Sequence, residues 1–200
     1  MKTLFEEYEK RKDIIKNRLD DFSKVKGDDI FYELCFCLLT PQTSAKAADK
    51  CIQELRKRDF RNSVNFNPVK LLNNIRFNNN KAKYLQEAKE KYDVIRDELI
   101  KDKSSEDVRE WLVENIKGFG LKESGHFLRN IGYRDLAILD RHILRNLVRF
   151  NVIKEVPKSL TSRRYFEIEE RFKGFSKEAG ISMDELDLLF WSMETGEVFK

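Results

Sequence analysis

The sequence has few of the residues that build fibrous, secreted or metal-clustered proteins. Three prolines and eight glycines in 200 residues exclude a collagen-like or low-complexity chain. Three cysteines are an odd number for a disulfide framework, and too few for the four cysteine ligands of a zinc site or an iron–sulfur cluster. We therefore expect Cys35, Cys37 and Cys51 to be buried thiols in the cytoplasm, and we expect no metal or other cofactor.

Long apolar runs and a targeting segment are also missing. The longest apolar stretch, about residues 30–39, is interrupted by Glu33 and is far shorter than a membrane span. The first seven residues lack the apolar core of a signal peptide. Hydrophobic residues nevertheless make up 40% of the chain and aromatic residues 12%, which is too much apolar surface for a disordered protein. The composition therefore predicts one globular domain, or two small lobes, without a membrane partner.

The net charge is small, at +4, but it is unevenly distributed. Residues 117–149 contain seven Lys and Arg against three Asp and Glu, so this segment alone equals the net charge of the whole chain. A local excess of positive charge is typical of contact with a polyanion, DNA or RNA first. A solvated helix face is an equally good interpretation of the charge taken alone.

Apolar residues recur at helical spacing along the chain, and no useful alternating segment appears, so the predicted fold class is all-α. In the first 22 residues the spacing of the apolar residues fits two helical turns better than one unbroken apolar stripe. Asn67-Pro68 predicts a helix start, and Ser104 and Ser182 predict capped ones. The asparagines at 73–74 and 78–80 predict a polar loop. The predicted helices cover about 28–39, 44–58, 81–99, 108–116, 121–131, 141–150, 158–172 and 183–193.

Four of the eight glycines lie between residues 118 and 132. A Gly118-Phe119-Gly120 hairpin separates a helix ending at Ile116 from one starting at Leu121. Its backbone N–H groups, together with the start of the following helix, predict an anion site suited to DNA phosphate. An ordinary tight turn between antiparallel helices uses glycine in the same way, but glycine on both sides of an apolar residue before a basic helix favours the phosphate site.

This hairpin, followed by Lys122 and then, eighteen residues after Lys122, by Asp140, resembles the helix-hairpin-helix and Gly/Pro-Asp motif of DNA glycosylases. In that superfamily the lysine is the nucleophile of the bifunctional members, and the aspartate lies across the cleft. The resemblance implies two helical subdomains flanking a DNA-binding cleft. We expect one subdomain over about 28–135, with the hairpin at 116–132, and a second over about 1–27 plus 136–200.

The resemblance can be narrowed, because residues 122–133 and 136–145 are similar to the archaeal-type 8-oxoguanine DNA glycosylase/AP lyases. The segment at 33–40 and the C-terminal residues from Asp187 to Lys200 are similar to them too. The likeness covers about residues 30–200. It implies a monomeric DNA repair enzyme, nucleoid-associated in a prokaryotic cell, that removes 8-oxoguanine from double-stranded DNA through a Schiff base on Lys122 and nicks the strand by β-elimination.

Two residues are predicted to carry the chemistry. A lysine amine is protonated at neutral pH, so Lys122 must lose a proton before it attacks C1′ of a nucleotide flipped out of the duplex. Asp140 is predicted to stabilise positive charge on the sugar, and it is placed to help remove that proton. Asp140 also stands where the N-cap of the helix after it belongs, and the two roles are compatible.

The remaining site residues are predicted to hold the base or the DNA. Lys200, which offers an ammonium and an α-carboxylate, is implied by the resemblance to distinguish 8-oxoguanine from guanine. Trp191 is favoured over Phe190 to stack on the base, and His126 to line its pocket, although a structural histidine remains open. The DNA contacts are assigned to Gly118, Phe119, Gly120, Gln42, His142 and Arg141. Gln42 departs from the family, which more often has Thr-Ala-Asn where this chain has Thr-Pro-Gln, and Ser192 replaces the usual aromatic residue.

Three alternatives stand beside this hypothesis. A non-catalytic helix-hairpin-helix DNA-binding module is disfavoured by Lys122 and Asp140, because phosphate binding needs neither. A glycosylase for other damaged bases, pyrimidines included, is disfavoured by the missing cluster cysteines and by Lys200. A protein-binding helical domain fits the location of the charge least well.

Overall fold

A computed structural model describes residues 1–200 of the chain. It contains ten α-helices, a short 3₁₀ helix at Pro68–Leu71 and no strands, which confirms the all-α prediction. No helix is both long and apolar enough to cross a membrane. The helices are α1 (Lys2–Ser23), α2 (Asp28–Leu39), α3 (Ala45–Lys57), α4 (Asn78–Glu90), α5 (Tyr92–Leu99), α6 (Ser105–Asn115), α7 (Leu121–Asn130), α8 (Arg141–Arg149), α9 (Ser162–Ala179) and α10 (Met183–Thr195).

The chain divides into two compact units. One is formed by Val25–Phe127, and the other by Met1–Lys24 together with Leu128–Lys200. The division passes within α7, somewhat earlier in the chain than the boundary expected near residue 135. Lys122 therefore belongs to the first unit and Asp140 to the second.

The unit of residues 25–127 is built around α2. Every residue from Phe31 to Leu39 is buried, and a helix that is buried on all sides occupies the centre of a bundle. Helices α3 and α4 pack against it. The ring of Phe31 meets Tyr92 of α5 edge-on at 5.1 Å, and the Tyr92 hydroxyl donates to the Gly27 carbonyl oxygen at 3.2 Å. This rigid core supports both the hairpin and the turn that carries Gln42.

The other unit is built around α10, against which α1, α8 and α9 pack. Phe190 of α10 is fully buried, with its ring stacked at 5.4 Å from Phe150 and at 6.0 Å from Phe172. The Tyr8 hydroxyl of α1 donates to Glu185 Oε1 at 2.8 Å near the start of α10. Phe190 therefore belongs to the core, while its neighbour Trp191 remains partly exposed.

The caps predicted from the sequence are present. Ser104 Oγ accepts a hydrogen bond from the Asp107 N–H at 3.1 Å, and Asn67 Oδ1 accepts one from Val69 N–H at 3.0 Å. Ser182 and Glu185 form a reciprocal capping box at the start of α10. Each cap uses a side chain to satisfy a backbone donor that the first turn of a helix leaves free.

The first helix is continuous, and one later helix prediction is wrong in continuity. Residues Lys2–Ser23 form one helix, and ion pairs such as Lys10–Glu7 and Lys12–Glu9, each at 2.6 Å, link successive turns on its solvent side. The single helix predicted over 81–99 is broken at Lys91 into α4 and α5. At that break the Lys91 Nζ donates to the Asn115 carbonyl oxygen at 3.3 Å, a long-range contact without a sequence signal.

Two helix boundaries also differ. The asparagines at 78–80 form the first turn of α4 rather than a loop, with Asn78 Oδ1 accepting from the Asn79 N–H at 2.8 Å. Asparagine is common in loops, and at a helix start its side chain also accepts from free backbone N–H groups. The residue type therefore fits both the predicted loop and the observed helix start. The helix predicted over 158–172 begins after its cap Thr161 and ends at Gly180, which has a φ of +64°.

Candidate active site

The predicted hairpin follows α6 directly. Gly118 has a φ of +95°, and a Cβ atom at this position would lie 2.7 Å from Cδ2 of Tyr84. Both the backbone angle and the close ring require glycine there. The Phe119 side chain is only 7% exposed and packs against Phe127 at 6.0 Å, so any contact of Phe119 with DNA is made through its backbone.

Lys122 is the second residue of α7, and its side chain is 30% exposed. Its Nζ lies 2.8 Å from Oε1 of Glu123. The other carboxylate oxygen of Glu123 accepts a hydrogen bond from the Gly120 N–H at 3.3 Å. Glu123 thus joins the hairpin backbone to the predicted nucleophile. It also occupies one of the hairpin N–H groups that were predicted to be available to phosphate.

His126 lies one turn after Lys122 on α7. Its ring is edge-on to Phe36 of α2, with centroids 5.8 Å apart. Gln42, in the turn between α2 and α3, is exposed and has a φ of +55°. A side chain other than glycine rarely adopts this backbone conformation, so the turn is strained at the residue predicted to enter the duplex.

In the second unit, Asp140 is the N-cap of α8. Its Oδ1 accepts hydrogen bonds from the backbone N–H groups of His142 at 2.7 Å and of Ile143 at 2.8 Å. The carboxylate is therefore fixed in one orientation at the positive end of the helix dipole. The cap expected from the sequence is therefore present.

Arg141, His142, Trp191 and Lys200, four of the residues predicted to contact the base or the DNA, lie in the same unit as this cap. The ring of His142 is edge-on to Trp191 at 6.5 Å, and Trp191 lies 6.5 Å from Phe199. The exposed Arg141 Nε donates to His142 Nε2 at 3.4 Å. Lys200 follows Phe199 and is partly buried. The structure therefore brings the start of α8, with His142, close to Trp191 near the end of α10, about fifty residues later in the chain.

One part of the charge interpretation is corrected. Arg129 is only 4% exposed and forms a buried ion pair with Asp187. Burial raises the pKa of the Asp187 carboxyl, and the Arg129 guanidinium acts in the opposite direction. Arg129 therefore stabilises the interior of its own unit and is not one of the cations on the basic surface. The sequence could not show this, because the partner is distant in the chain.

Beside the predicted residues lie others that no sequence motif indicates, Glu123 and Phe77 among them. Glu123 directly follows the predicted nucleophile Lys122. As the third residue of α7, its carboxylate accepts from the Gly120 N–H just before the helix. Phe77 is 52% exposed with a φ of +60°, directly before α4, and the next residue back, Arg76, donates its N–H to Thr43 Oγ1 at 3.3 Å. Aromatic residues are usually buried, so nothing in the sequence indicates an exposed side chain at Phe77.

The chain matches a known family over most of its length. The sequence model of the Ogg-HhH family, described as 8-oxoguanine DNA glycosylase, matches residues 15–181. A protein of Fusobacterium nucleatum named 8-oxoguanine DNA glycosylase/AP lyase is 44% identical over 204 residues, which covers 96% of this chain and 94% of that protein. A protein of the same name from Methanocaldococcus jannaschii is 39% identical, covering 94% of this chain and 93% of its own.

Solved structures agree with the sequence matches. The crystal structure of the Methanocaldococcus jannaschii 8-oxoguanine glycosylase/lyase in complex with a 15mer DNA containing 8-oxoguanine matches with a TM-score of 0.86 at 36% identity, covering 100% of both chains. The crystal structure of the 8-oxoguanine DNA glycosylase of Thermotoga maritima matches with a TM-score of 0.85 at 30% identity, covering 100% of this chain and 97% of the other.

Proposed function

This chain belongs to the 8-oxoguanine DNA glycosylase family, and from that membership we propose that it is a bifunctional DNA repair enzyme. It excises 8-oxoguanine from double-stranded DNA and then cleaves the strand at the abasic site. The observation that supports this function most directly is Lys122 at the start of α7, immediately after the glycine hairpin.

Lys122 is the proposed nucleophile. As a free amine its Nζ attacks C1′ of the flipped nucleotide, and 8-oxoguanine leaves with the electron pair of the glycosidic bond. Opening of the sugar ring then gives a Schiff base between Lys122 and C1′. Loss of a proton from C2′ breaks the bond between C3′ and its oxygen, which nicks the strand.

Asp140 is the proposed electrostatic partner of this reaction. Its carboxylate is held by two backbone N–H groups of α8, so it needs no reorientation when positive charge develops on the sugar. The same carboxylate is a proton acceptor for the ammonium of Lys122. The exposed Arg141, with His142, is proposed to hold phosphate or sugar beside it.

Recognition of the base is assigned to Trp191, Lys200 and His126. An indole face offers a stacking platform for the flipped base. The ammonium of Lys200 supplies hydrogen-bond donors, which suit the oxygen that oxidation adds at C8 of the base. The hairpin at 118–120 grips the phosphate backbone, and Gln42 fills the space that the flipped nucleotide leaves. The enzyme is proposed to act as a monomer on the DNA of a prokaryotic cell, in the cytoplasm at the nucleoid.

Borohydride trapping on duplex DNA that contains 8-oxoguanine tests this function. Borohydride reduces the Schiff base to a stable amine, so the wild-type enzyme is expected to become covalently linked to the DNA, and Lys122→Gln is not. Lys83→Gln is the matched control, because Lys83 is an exposed lysine on α4 outside the hairpin, and its replacement is expected to leave the adduct unchanged. An unchanged adduct in Lys122→Gln, or no adduct with wild type, would contradict the lyase mechanism.

A further inference from the structure

Lys81 is a buried lysine in α4 that the proposed chemistry does not use. Only 4% of it is exposed. Its Nζ donates hydrogen bonds to the carbonyl oxygens of Leu39 and Pro41, each at 2.7 Å, and to Thr43 Oγ1 at 3.1 Å. An ammonium group has three donors, so all of the donors of Lys81 are used on one short segment.

That segment is the turn which carries Gln42. Two of the three acceptors, on Pro41 and Thr43, flank Gln42 in the chain, and the third, on Leu39, lies three residues before Gln42 at the end of α2. The turn has one backbone bond of its own, from the Thr43 N–H to the Thr40 carbonyl oxygen at 2.9 Å. A single turn bond is weak support for a non-glycine residue with a φ of +55°, and a strained conformation persists only where its surroundings fix it.

Burial in this place disfavours the charged form of the Lys81 side chain. Burial, together with the nearby cation of Lys122, lowers the pKa of Lys81 to about 8, while Glu123 acts in the opposite direction. An apolar residue of similar length would fill the same space without this desolvation cost. The three hydrogen bonds to the turn are what such a residue would not provide.

We propose that Lys81 is a positioning residue of base excision, which clamps the 39–43 turn so that Gln42 stands ready to enter the duplex when the damaged nucleotide leaves the stack. The inference rests on the proposed function, because it assigns Lys81 to the step in which the duplex is opened. Extruding a paired nucleotide costs free energy that a preformed side chain in the gap offsets. Lys81 acts through Gln42 and touches no reacting atom.

This role predicts that two substrates respond differently. Excision from a duplex requires a paired 8-oxoguanine to be extruded, whereas a preformed abasic site has no base to unstack. Lys81→Met keeps the length of the side chain but removes all three donors. It is expected to slow single-turnover excision of 8-oxoguanine about tenfold or more, which corresponds to the loss of about one net hydrogen bond in the transition state, and to leave nicking of a preformed abasic site within about twofold.

The controls come from the same helix and the same turn. Lys83→Met removes an exposed lysine two residues further along α4 and is expected to change neither rate. Thr43→Val removes the hydroxyl that accepts from both Lys81 and the Arg76 N–H, and it is expected to reduce excision in the same direction by a smaller factor. Because Thr43 is not a fully buried residue, this variant tests the clamp even if Lys81→Met does not fold.

A double variant separates this role from a general effect on the fold. If Lys81 acts through Gln42, the loss caused by Lys81→Met shrinks sharply in a Gln42→Ala background. The proposal is overturned if Lys81→Met slows both substrates by the same factor, if it slows neither, or if its effect is undiminished in the Gln42→Ala background. If Lys81→Met does not fold, full excision by Thr43→Val overturns it. These outcomes are distinct from failure of the proposed function, which would appear as the absence of a borohydride adduct with the wild-type enzyme.

Discussion

Asp140 has a structural role as a helix cap and a proposed chemical role, and substitution can separate the two. Its Oδ1 accepts from two backbone N–H groups of α8, at 2.7 Å and 2.8 Å, and its charge lies at the positive end of that helix. Asp140→Ala removes the cap and the charge together. Asp140→Asn keeps a good capping oxygen and removes only the charge. The two variants therefore differ in stability and share the loss of the carboxylate.

The magnitudes follow from the geometry. Replacing an aspartate N-cap by alanine costs about 0.5–2 kcal/mol, and two short bonds place Asp140→Ala toward the upper end of that range. Asparagine loses only the interaction with the helix dipole, about 0.3–1 kcal/mol at low ionic strength. The excision rate, in contrast, is expected to fall by about 10²–10⁴-fold in both variants, because a positioned acid–base group contributes that much.

The assay pairs urea unfolding, followed by circular dichroism, with single-turnover excision on a duplex containing 8-oxoguanine. Ser104→Ala is the matched control, since it removes a comparable N-cap from α6 and is expected to lose stability at full activity. DNA binding by Asp140→Asn, measured by fluorescence anisotropy, is expected to be retained. Wild-type excision by Asp140→Asn, or rate losses that follow the stability losses across all three variants, would remove Asp140 from the mechanism.

Three further outcomes are expected. Gly118→Ala should destabilise the protein by more than Gly180→Ala in urea unfolding. Both glycines have a positive φ, which costs an alanine about 1–2 kcal/mol, but only at Gly118 would the new Cβ also meet a side chain, that of Tyr84. Equal losses of stability would contradict this. Burial raises the pKa of the Cys35 thiol and raises that of Cys51 to about 11. Both thiols should therefore resist Ellman's reagent at pH 8 until urea is added. Rapid reaction of the native protein would refute their burial. Deleting Lys200 should reduce discrimination against guanine or slow excision, measured on paired duplexes with and without the lesion; no change in either would make it an ordinary chain end.

The sequence predicted those features of the fold that depend on local chemistry. The helices around the hairpin, the caps at Ser104 and Ser182, and Asp140 as an N-cap all follow from residues close together in the chain. Spacing alone did not predict the break at Lys91, since it coincides with a contact to the carbonyl of Asn115 in another helix. Local rules succeed where the partners are neighbours and fail where a tertiary contact decides.

The same limit applies to the candidate site. Lys122 and Asp140 were found because they stand at fixed offsets from a recognisable hairpin. Lys81 was not found, because a lysine in an amphipathic helix is read as a surface residue, and its acceptors are about forty positions earlier in the chain. Its burial and its three partners are visible only in the folded unit.

The folded chain also changes what the net charge means for DNA binding. Of the seven basic residues in 117–149, Arg129 is paired internally with Asp187, and Arg134 donates to the Leu19 carbonyl oxygen at 2.7 Å. The exposed cations of this segment are at Lys117 on the hairpin and along α8. Each phosphate neutralised by such a cation contributes about 0.9 to the slope of log affinity against log salt, so these residues support only a shallow salt dependence. We expect the affinity from so few contacts to be modest, which suits an enzyme that must release one stretch of DNA to inspect the next. Recognition of the lesion is then expected to depend on the residues proposed to bind the base and on the cost of opening the duplex, rather than on overall charge.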